Sequence, residues 1–169
     1  MIEHYIGLDV SMNSTGWAVL SFDGTTIKYV DSGIIKANTK HSHGLRLRKQ
    51  RNHFVELLET YPNAKIAREA GFSRHIKSTQ VLYKAYGVTE EVFADKDLVE
   101  YAATTIKKYV TGNGRADKGQ IEFFVRDKIK FKDGFVFASD DESDAVAIAL
   151  THIEKEKERG GNGACLKVY

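Results

Sequence analysis

The stretch HYIGLDVSMNSTGWAVLSF, residues 4–22, decides the fold of this chain. Ile6, Leu8 and Val10 alternate with small or polar residues, which is the two-residue period of a strand with one apolar face. The letters MNST favour a turn, and TGWAVLSF after them is typical of a second strand. The stretch therefore predicts an antiparallel hairpin at the start of a sheet.

A third strand and a helix follow this hairpin. The turn signal at Asp23-Gly24 precedes TIKYVDSGIIKA, residues 26–37, which predicts the third strand. Over residues 44–60 the apolar spacing becomes helical, and Pro62, the only proline, ends this helix. The first part of the chain thus predicts three antiparallel strands and then an amphipathic helix.

Helices and strands alternate in the rest of the chain. NAKIAREA, residues 63–70, predicts a strand, and if it pairs in parallel with the first strand, Asp9 and Glu69 lie side by side. Residues 97–110 are ambiguous, because their β-branched content favours a strand in part. The remaining predictions are a helix over 74–87 closed by Gly87, helices over 116–129 and 141–158, and a loose tail over 159–169. This order predicts one α/β domain, residues 1–158, with a mixed sheet covered by helices.

Size and composition are those of one globular domain. The chain has 169 residues, of which 42% are hydrophobic and 28% are charged. No apolar run approaches the ~18 residues of a membrane span, and the N-terminus MIEHYIGLDV lacks the layout of a signal peptide. Cys165 is the only cysteine, so no internal disulfide can form, which fits a reducing cytoplasm. We therefore expect a cytoplasmic protein without a membrane partner.

Charge is segregated along the chain, although the net charge is only +2. Residues 36–51 hold six Lys/Arg and no acid, residues 105–132 hold eight Lys/Arg and three acids, and acids concentrate at residues 140–144. Basic surfaces around a compact acidic centre suit a polyanionic ligand handled by metal ions. The same counts also suit solvated basic faces without a ligand. His41 and His43 of KHSHG are best interpreted as solvent-exposed in such a face.

Four carboxylates stand directly before an apolar run of helical spacing in SDDESDAVAIAL, residues 139–150: Asp140, Asp141, Glu142 and Asp144. Ser139 with Glu142 matches a capping box, and the helix dipole favours acids in the first turn. Carboxylates that are adjacent or three residues apart repel each other by a comparable amount. Capping alone therefore does not offset their charge, and we infer that a cation contributes.

The helical register sorts these acids into two groups. Asp141 and Asp144 share the apolar face, so we expect both to point towards the sheet, where a carboxylate needs a cation or a proton. Glu142 and Ser143 are expected to point away from it. If the helix begins one residue later, Asp140 takes the place of Asp141, and the sequence leaves both registers open.

Asp9 and Glu69 complete the predicted site. Asp9 interrupts an apolar strand, where aspartate has a low propensity, and Glu69 ends the later strand. With Asp141 and Asp144 they form an oxygen-rich, thiol-free group of the kind that binds Mg²⁺ or Mn²⁺. Two such ions ~3.5–4 Å apart can activate a water and stabilise the leaving oxygen in phosphodiester cleavage.

Four stretches match motifs of one known family: YIGLDVSMNSTGWAVL (5–20), EAGF (69–72), VEYAATTIKKYVTGNGRADKGQI (99–121) and DESDAVAIALTH (141–152). In their order and spacing, they resemble the RuvC-type Holliday-junction resolvases of the ribonuclease H-like fold. The resemblance implies a mixed five-stranded sheet, three antiparallel strands and then parallel strands, with helices on both faces. It also implies catalytic and metal-binding roles for Asp9, Glu69, Asp141 and Asp144.

The resemblance further implies how DNA is bound and cut. Phe72 matches an aromatic residue that contacts the junction, and Lys107 and Lys118 match lysines that contact DNA. Arg115, in the glycine-punctuated loop GNGRADKGQ, is a candidate for the same role. The implied activity is paired nicking of opposing strands of a four-way DNA junction, or of other branched DNA, with two Mg²⁺ (or Mn²⁺) ions per active site.

A homodimer is expected, because a four-way junction has approximate two-fold symmetry and a two-fold dimer presents two matched sites. The helix over 74–87, with Val81, Leu82 and Tyr86, is the candidate interface. The chain has Val10-Ser11 where the family has Pro-Gly. We interpret such divergence as suiting a phage-encoded member that acts in the cytoplasm of its bacterial host without the cellular branch-migration motor.

Three alternatives stay open. In the first, the chain is a ribonuclease H-like nuclease that acts on RNA or RNA–DNA hybrid. In the second, it is a non-catalytic junction-binding protein, but the presence of all four acids argues against this. The hairpin letters GLDVSMNSTG also resemble the phosphate loop of actin-like ATPases and sugar kinases. Those enzymes need a second large domain, which 169 residues cannot supply.

Overall fold

The computed structural model of the chain describes residues 1–71 and 76–163, with residues 161–163 described by their backbone alone. This part contains five strands and five helices. The strands are β1 Glu3–Asp9, β2 Ser14–Phe22, β3 Ile27–Lys36, β4 Lys65–Glu69 and β5 Leu98–Tyr101. The helices are α1 His43–Thr60, α2 Ile76–Val92, α3 Ala103–Thr111, α4 Lys118–Lys128 and α5 Asp140–Gly163.

The five strands form one sheet in the order β3-β2-β1-β4-β5. β2 is antiparallel to both β1 and β3, whereas β4 is parallel to both β1 and β5. The predicted fold class, three antiparallel strands followed by parallel strands, is therefore confirmed. Leu8 lies opposite Arg68 in the parallel pair, which brings the next residues, Asp9 and Glu69, to the same edge of the sheet.

A separate apolar core covers each face of the sheet. α3, α4 and α5 pack on one face through residues such as Ile106, Val125 and Ile148. α1 and α2 pack on the other face through residues such as Phe54 and Ala85. Helices thus cover both faces of the sheet, as predicted.

Helix α5 lies directly against the backbone of the β1–β2 hairpin. A Cβ atom on Gly7 would lie 2.1 Å from the carbonyl oxygen of Ala145, and one on Gly16 would lie 1.9 Å from the carbonyl oxygen of Asp141. No side chain fits at such distances, so both positions require glycine. This close approach holds the first turns of α5 beside the strand that ends at Asp9.

The structure resolves one segment that the sequence left ambiguous and corrects one predicted helix end. The ambiguous segment forms β5 and then α3, in which Ile106 and Val110, four residues apart, are both buried. Packing against α5 therefore overrides the β-branched preference for a strand. The predicted end of α2 at Gly87 is wrong, because the helix continues to Val92. Gly87 is exposed, and glycine inside a helix costs only about 1 kcal/mol relative to alanine.

Helix α5 begins at Asp140 and extends to Gly163, past its predicted end at residue 158. Residues 164–169, including Cys165, lie outside the described residues, so the boundary of the predicted tail stays a prediction. Across the described residues, no helix has both the length and the apolar character that crossing a bilayer demands.

Candidate active site

Four carboxylates meet at one edge of the sheet. Asp9 ends β1, Glu69 ends β4, and Asp141 and Asp144 lie in the first turns of α5. The pKa of Asp9 is raised from 3.8 to about 7, first by burial and then by the negative charges of Asp144, Glu69 and Asp141. The four carboxylates therefore lie close enough to interact electrostatically.

Two lysines supply positive charge to this cluster. Burial and the charge of Asp144 raise the pKa of Glu69, whereas the charges of Lys107 and Lys118 oppose this rise. Burial also raises the pKa of Asp144, and Lys118 again opposes it. Lys118 Nζ lies 3.6 Å from Asp144 Oδ2 and 3.1 Å from Asp140 Oδ2. Since the pKa values of three acids stay raised, the lysines offset only part of the burial and repulsion.

A cavity of about 220 Å³ opens beside these groups. Glu69, Asp144, Lys107 and Lys118 form its charged lining, and Ile106 of α3 contributes to its apolar wall. Carboxylates and ammonium groups therefore face the same space, as a site for a cation and a phosphate requires.

The register of α5 distinguishes Asp141 from Asp140. The hydroxyl of Ser14, on β2, donates a hydrogen bond to Asp141 Oδ2. The side chain of Asp140 is 69% exposed and pairs with Lys118 at the surface. Asp141 therefore faces the hairpin, which selects one of the two registers that the sequence left open.

The predicted orientation of Glu142 and Ser143 is wrong. Both residues are buried, with 5% and 6% of their surface exposed. The Glu142 carboxylate accepts hydrogen bonds from Ser32 Oγ and from the backbone N–H of Ala138, both at 2.5 Å. The expected capping box does not form, since Ser139 Oγ is buried without a hydrogen-bond partner in the described part of the chain. Because α5 packs against β2 and β3 as well as β1, its buried surface is wider than its apolar spacing indicates.

The other residues predicted to bind DNA are Arg115, Lys118 and Phe72. Arg115 is exposed in the loop between α3 and α4. A capping box of Asp117 and Gln120 begins α4 and fixes the position of Lys118 at its first residue. Phe72 lies outside the described residues.

Two positioning contacts were not predicted from the sequence. The first is the Ser14 hydroxyl on Asp141, for which the only signal is the place of Ser14 in a polar turn after Asp9. The second is a hydrogen bond of 2.5 Å from the Tyr86 hydroxyl to the backbone carbonyl oxygen of Glu69. Tyr86 is only 5% exposed, so its predicted place in a dimer interface is wrong.

The side chains do not form a metal site in their present orientation. In residues 1–71 and 76–160, no three His, Cys, Asp or Glu side chains are grouped so that they could hold an ion. Lys118 engages Asp144, and Ser14 engages Asp141. The donor set nevertheless consists of carboxylate oxygens, the ligands that Mg²⁺ and Mn²⁺ prefer. The raised pKa values mark crowded carboxylates that a divalent cation would stabilise, so the donor chemistry fits.

The strand order, with helices on both faces of the sheet, is that of the ribonuclease H-like fold. Comparison with protein families then gives the particular family. The chain belongs to the Crossover junction endodeoxyribonuclease RuvC family, whose profile matches residues 5–152. The resemblance noted in the sequence is thereby confirmed.

Relatives and solved structures agree with this membership. Crossover junction endodeoxyribonuclease RuvC of Ehrlichia chaffeensis is 34% identical over 155 residues, which cover 90% of this chain and 97% of that protein. The protein of the same name from Ehrlichia ruminantium, strain Welgevonden, is 37% identical over 155 residues, which cover 88% of this chain and 94% of that protein. The structure of T. thermophilus RuvC in complex with a Holliday junction substrate shares the fold, with a TM-score of 0.84 and 21% identity over 92% of this chain and 96% of that chain.

Proposed function

We propose that this chain is a structure-selective DNA endonuclease that resolves four-way (Holliday) junctions by hydrolysing phosphodiester bonds in the cytoplasm. The meeting of Asp9, Glu69, Asp141 and Asp144 at one edge of the sheet, in a chain of the RuvC family, carries this proposal. The relatives are named crossover junction endodeoxyribonucleases, and T. thermophilus RuvC was solved with a Holliday junction substrate, which supports the same reaction here.

The four carboxylates are proposed to hold two Mg²⁺ (or Mn²⁺) ions. Such a pair, when bound, activates a water and stabilises the leaving oxygen. The chain holds Asp9 and Glu69 at the ends of β1 and β4, and it holds Asp141 and Asp144 on a helix that packs without clearance on β1 and β2. Asp9 must lose its proton to bind a cation, so its raised pKa means that protons compete with the cation as the pH falls below neutral.

Lys107, Arg115 and Lys118 are proposed to neutralise DNA phosphates beside the carboxylates. The side chain of Lys118 is 62% exposed, and its ion pair with the exposed Asp140 is worth only about 0–1 kcal/mol. Lys118 is therefore able to leave the acids for a phosphate when DNA and cations arrive. Phe72, three residues after Glu69, is proposed to stack at the crossover.

A homodimer is proposed to bind the junction through its two-fold symmetry. α2 exposes Ile76 and Tyr83, at 79% and 57% of their surface, and Val81 and Leu82 line a cavity of about 420 Å³ beside the β1–β2 turn. Exposed apolar side chains on the helix that also buries Tyr86 near Glu69 support an interface close to the active site.

The test is nicking of end-labelled synthetic four-way DNA junctions, forked DNA, linear duplex and RNA–DNA hybrid, each with Mg²⁺, with Mn²⁺ and with EDTA. We expect opposed nicks in the four-way junction, only with a divalent cation, and without any branch-migration motor. Cleavage of the hybrid but not of the junction would establish the RNA-directed alternative. Junction binding without nicking would establish a non-catalytic binding protein.

The homodimer is tested on a supercoiled plasmid with an extruded cruciform. Paired nicks within one complex convert the plasmid to linear DNA, whereas independent nicks produce open circles. Leu82→Glu places a charge in the proposed interface, so we expect it to shift the product from linear to open-circular DNA. Sedimentation of the wild type as a monomer on the junction would contradict the dimer.

A further inference from the structure

We propose that residues 36–51, the basic segment, bind the phosphate backbone of one duplex arm of the junction, on the side of the carboxylate site away from Lys107 and Lys118. This inference rests on the proposed function, because it assigns a second surface to the same branched substrate. The partner that this surface fits is double-stranded DNA, read through its charge and not its sequence.

The basic segment is attached to the turn that directly follows Asp9. Arg46 Nη1 donates a hydrogen bond of 2.8 Å to Asn13 Oδ1, and the Ala37 N–H donates one of 2.9 Å to the Asn13 carbonyl oxygen. Gln50, which is fully buried, donates from Nε2 to the Ser11 carbonyl oxygen at 2.6 Å. Three contacts therefore hold the segment at the edge of the sheet where the acids lie.

Most of the positive charge in the basic segment is uncompensated. Of its six Lys/Arg, Arg51 alone forms an ion pair with an acid in the described part of the chain, at 2.9 Å from Glu91. Lys49 donates to the Lys36 carbonyl oxygen, and that contact removes no charge. Lys40 and Arg48 are exposed, and neither forms an ion pair with a described residue. The segment therefore presents a positive field to solvent.

The arrangement of the segment is fixed, although its surface is exposed. Besides its bond to Asn13, the Arg46 guanidinium donates from Nε to the His41 carbonyl oxygen at 2.9 Å and from Nη2 to the carbonyl oxygen of Thr39. The loop that carries Lys40 is thus ordered before any ligand binds. Binding to a preordered cation loop costs less conformational entropy than binding to a mobile one.

A merely solvated helix face is a weaker explanation of these charges. Exposed faces of helices normally interleave acids with bases, which gives favourable pairs three or four residues apart. In α1 the first acid is Glu56, after four cations, and its first turn contains no acid although the helix dipole favours one there. A helix face without these acid–base pairs is typical of a surface that binds an anion.

The strand order places this surface opposite Lys107 and Lys118, the lysines proposed above to bind DNA. The segment continues from β3, at one side of the sheet, and Lys107 follows β5, at the other side. The carboxylates at the ends of β1 and β4 lie between them. DNA that leaves the scissile phosphate in two directions therefore meets positive charge on both sides.

The experiment compares Lys40→Ala/Arg48→Ala with a matched control, Lys28→Ala/Lys157→Ala, which removes two exposed lysines at the end of the sheet opposite the acids. Affinity for a four-way junction is measured in EDTA over a range of salt concentrations. We expect the first variant to bind about tenfold more weakly and to lower the slope of log K against log salt by about 1.8, at 0.9 per lost phosphate contact. The control is expected to match the wild type.

A charge-retaining variant, Lys40→Arg/Arg48→Lys, is expected to keep wild-type affinity and slope, and thermal melting confirms that each variant folds. Unchanged affinity and slope in Lys40→Ala/Arg48→Ala, or an equal loss in the control, would overturn the inference. Nicking of the junction by the wild type is scored separately. If the wild type does not nick, the proposed function fails; if it nicks and the slopes are equal, only the basic segment fails.

Discussion

The hydroxyl of Tyr86 donates a hydrogen bond of 2.5 Å to the backbone carbonyl oxygen of Glu69. This contact joins α2, on one face of the sheet, to the end of the strand whose carboxylate faces α5 on the other. The ring of Tyr86 also lies 4.1 Å from the guanidinium carbon of the buried Arg68. A helix outside the acid cluster thereby fixes the backbone of one of its members.

Tyr86→Phe keeps this ring and loses only the hydrogen bond. We expect the single-turnover nicking rate to fall several-fold while junction affinity stays unchanged, because the position of Glu69 is affected and the DNA surface is not. The free energy of unfolding should fall by about 1 kcal/mol, the net value of one hydrogen bond. Tyr83→Phe, which alters an exposed ring on the same helix, is the control. Equal nicking rates in the two variants would show that the contact has no positioning role.

Asp9→Asn should abolish nicking and preserve junction binding. The amide keeps the size of the side chain but removes a ligand charge from the cluster, so the cation is lost while the basic surfaces remain. Affinity in EDTA is expected to equal or exceed that of the wild type, because one negative charge near the DNA is gone. Asp140→Asn, at an exposed acid outside the cluster, should keep most of the activity. Full nicking by Asp9→Asn would refute the metal assignment.

The stability of the metal-free protein should depend on pH in a defined direction. Burial and repulsion raise the pKa of Asp9 from 3.8 to about 7, and they also raise those of Glu69 and Asp144. The folded state therefore keeps protons that the unfolded state has already lost, so the free energy of unfolding should fall as pH rises from about 4 to 7.

Thermal melting in EDTA across this pH range measures the effect. Asp9→Asn should flatten the dependence, and Mg²⁺ should raise the melting temperature more at pH 8 than at pH 5, since protons compete with the cation. A melting temperature that rises between pH 5 and pH 7 in EDTA would contradict the crowding of these carboxylates.

Glu142→Ala should destabilise the fold. Its buried carboxylate accepts hydrogen bonds at 2.5 Å from Ser32 Oγ and the Ala138 N–H, and hydrogen bonds to a charged acceptor are worth about 1.5–3 kcal/mol each. We expect a loss of about 2 kcal/mol or more in denaturant unfolding. Asp140→Ala, two residues earlier in the helix and at an exposed position, should lower the free energy of unfolding by less than about 0.5 kcal/mol. Equal stability of the two variants would show that Glu142 is not structural.

The sequence predicts those features that arise from local periodicity. Alternation in residues 4–22 predicts the hairpin, and the parallel pairing of the fourth strand with the first follows from the order of elements. Once that pairing is assumed, Asp9 and Glu69 must share an edge, and helical spacing brings Asp141 and Asp144 to the same place. The acid cluster is therefore predictable without coordinates.

Features that depend on packing between distant elements are not predictable in this way. α3 is helical because Ile106 and Val110 pack into the core, although their local preference favours a strand. Glu142 is buried because α5 contacts four strands, β1 to β4, whereas the apolar spacing of the sequence indicates only one buried side of the helix. The hydrogen bond from the Tyr86 hydroxyl to the Glu69 carbonyl oxygen joins residues seventeen apart in the chain, and no sequence pattern predicts it.

Gly7 and Gly16 leave α5 no clearance above the hairpin. A single methyl group at either position would displace α5 from the hairpin. Asp141 and Asp144 would then move away from Asp9 and Glu69. Activity in this family member is thus vulnerable to mutations that leave every acid in place. A relative that keeps all four carboxylates but carries a side chain at either glycine position is therefore expected to be inactive, because its acids are held too far apart.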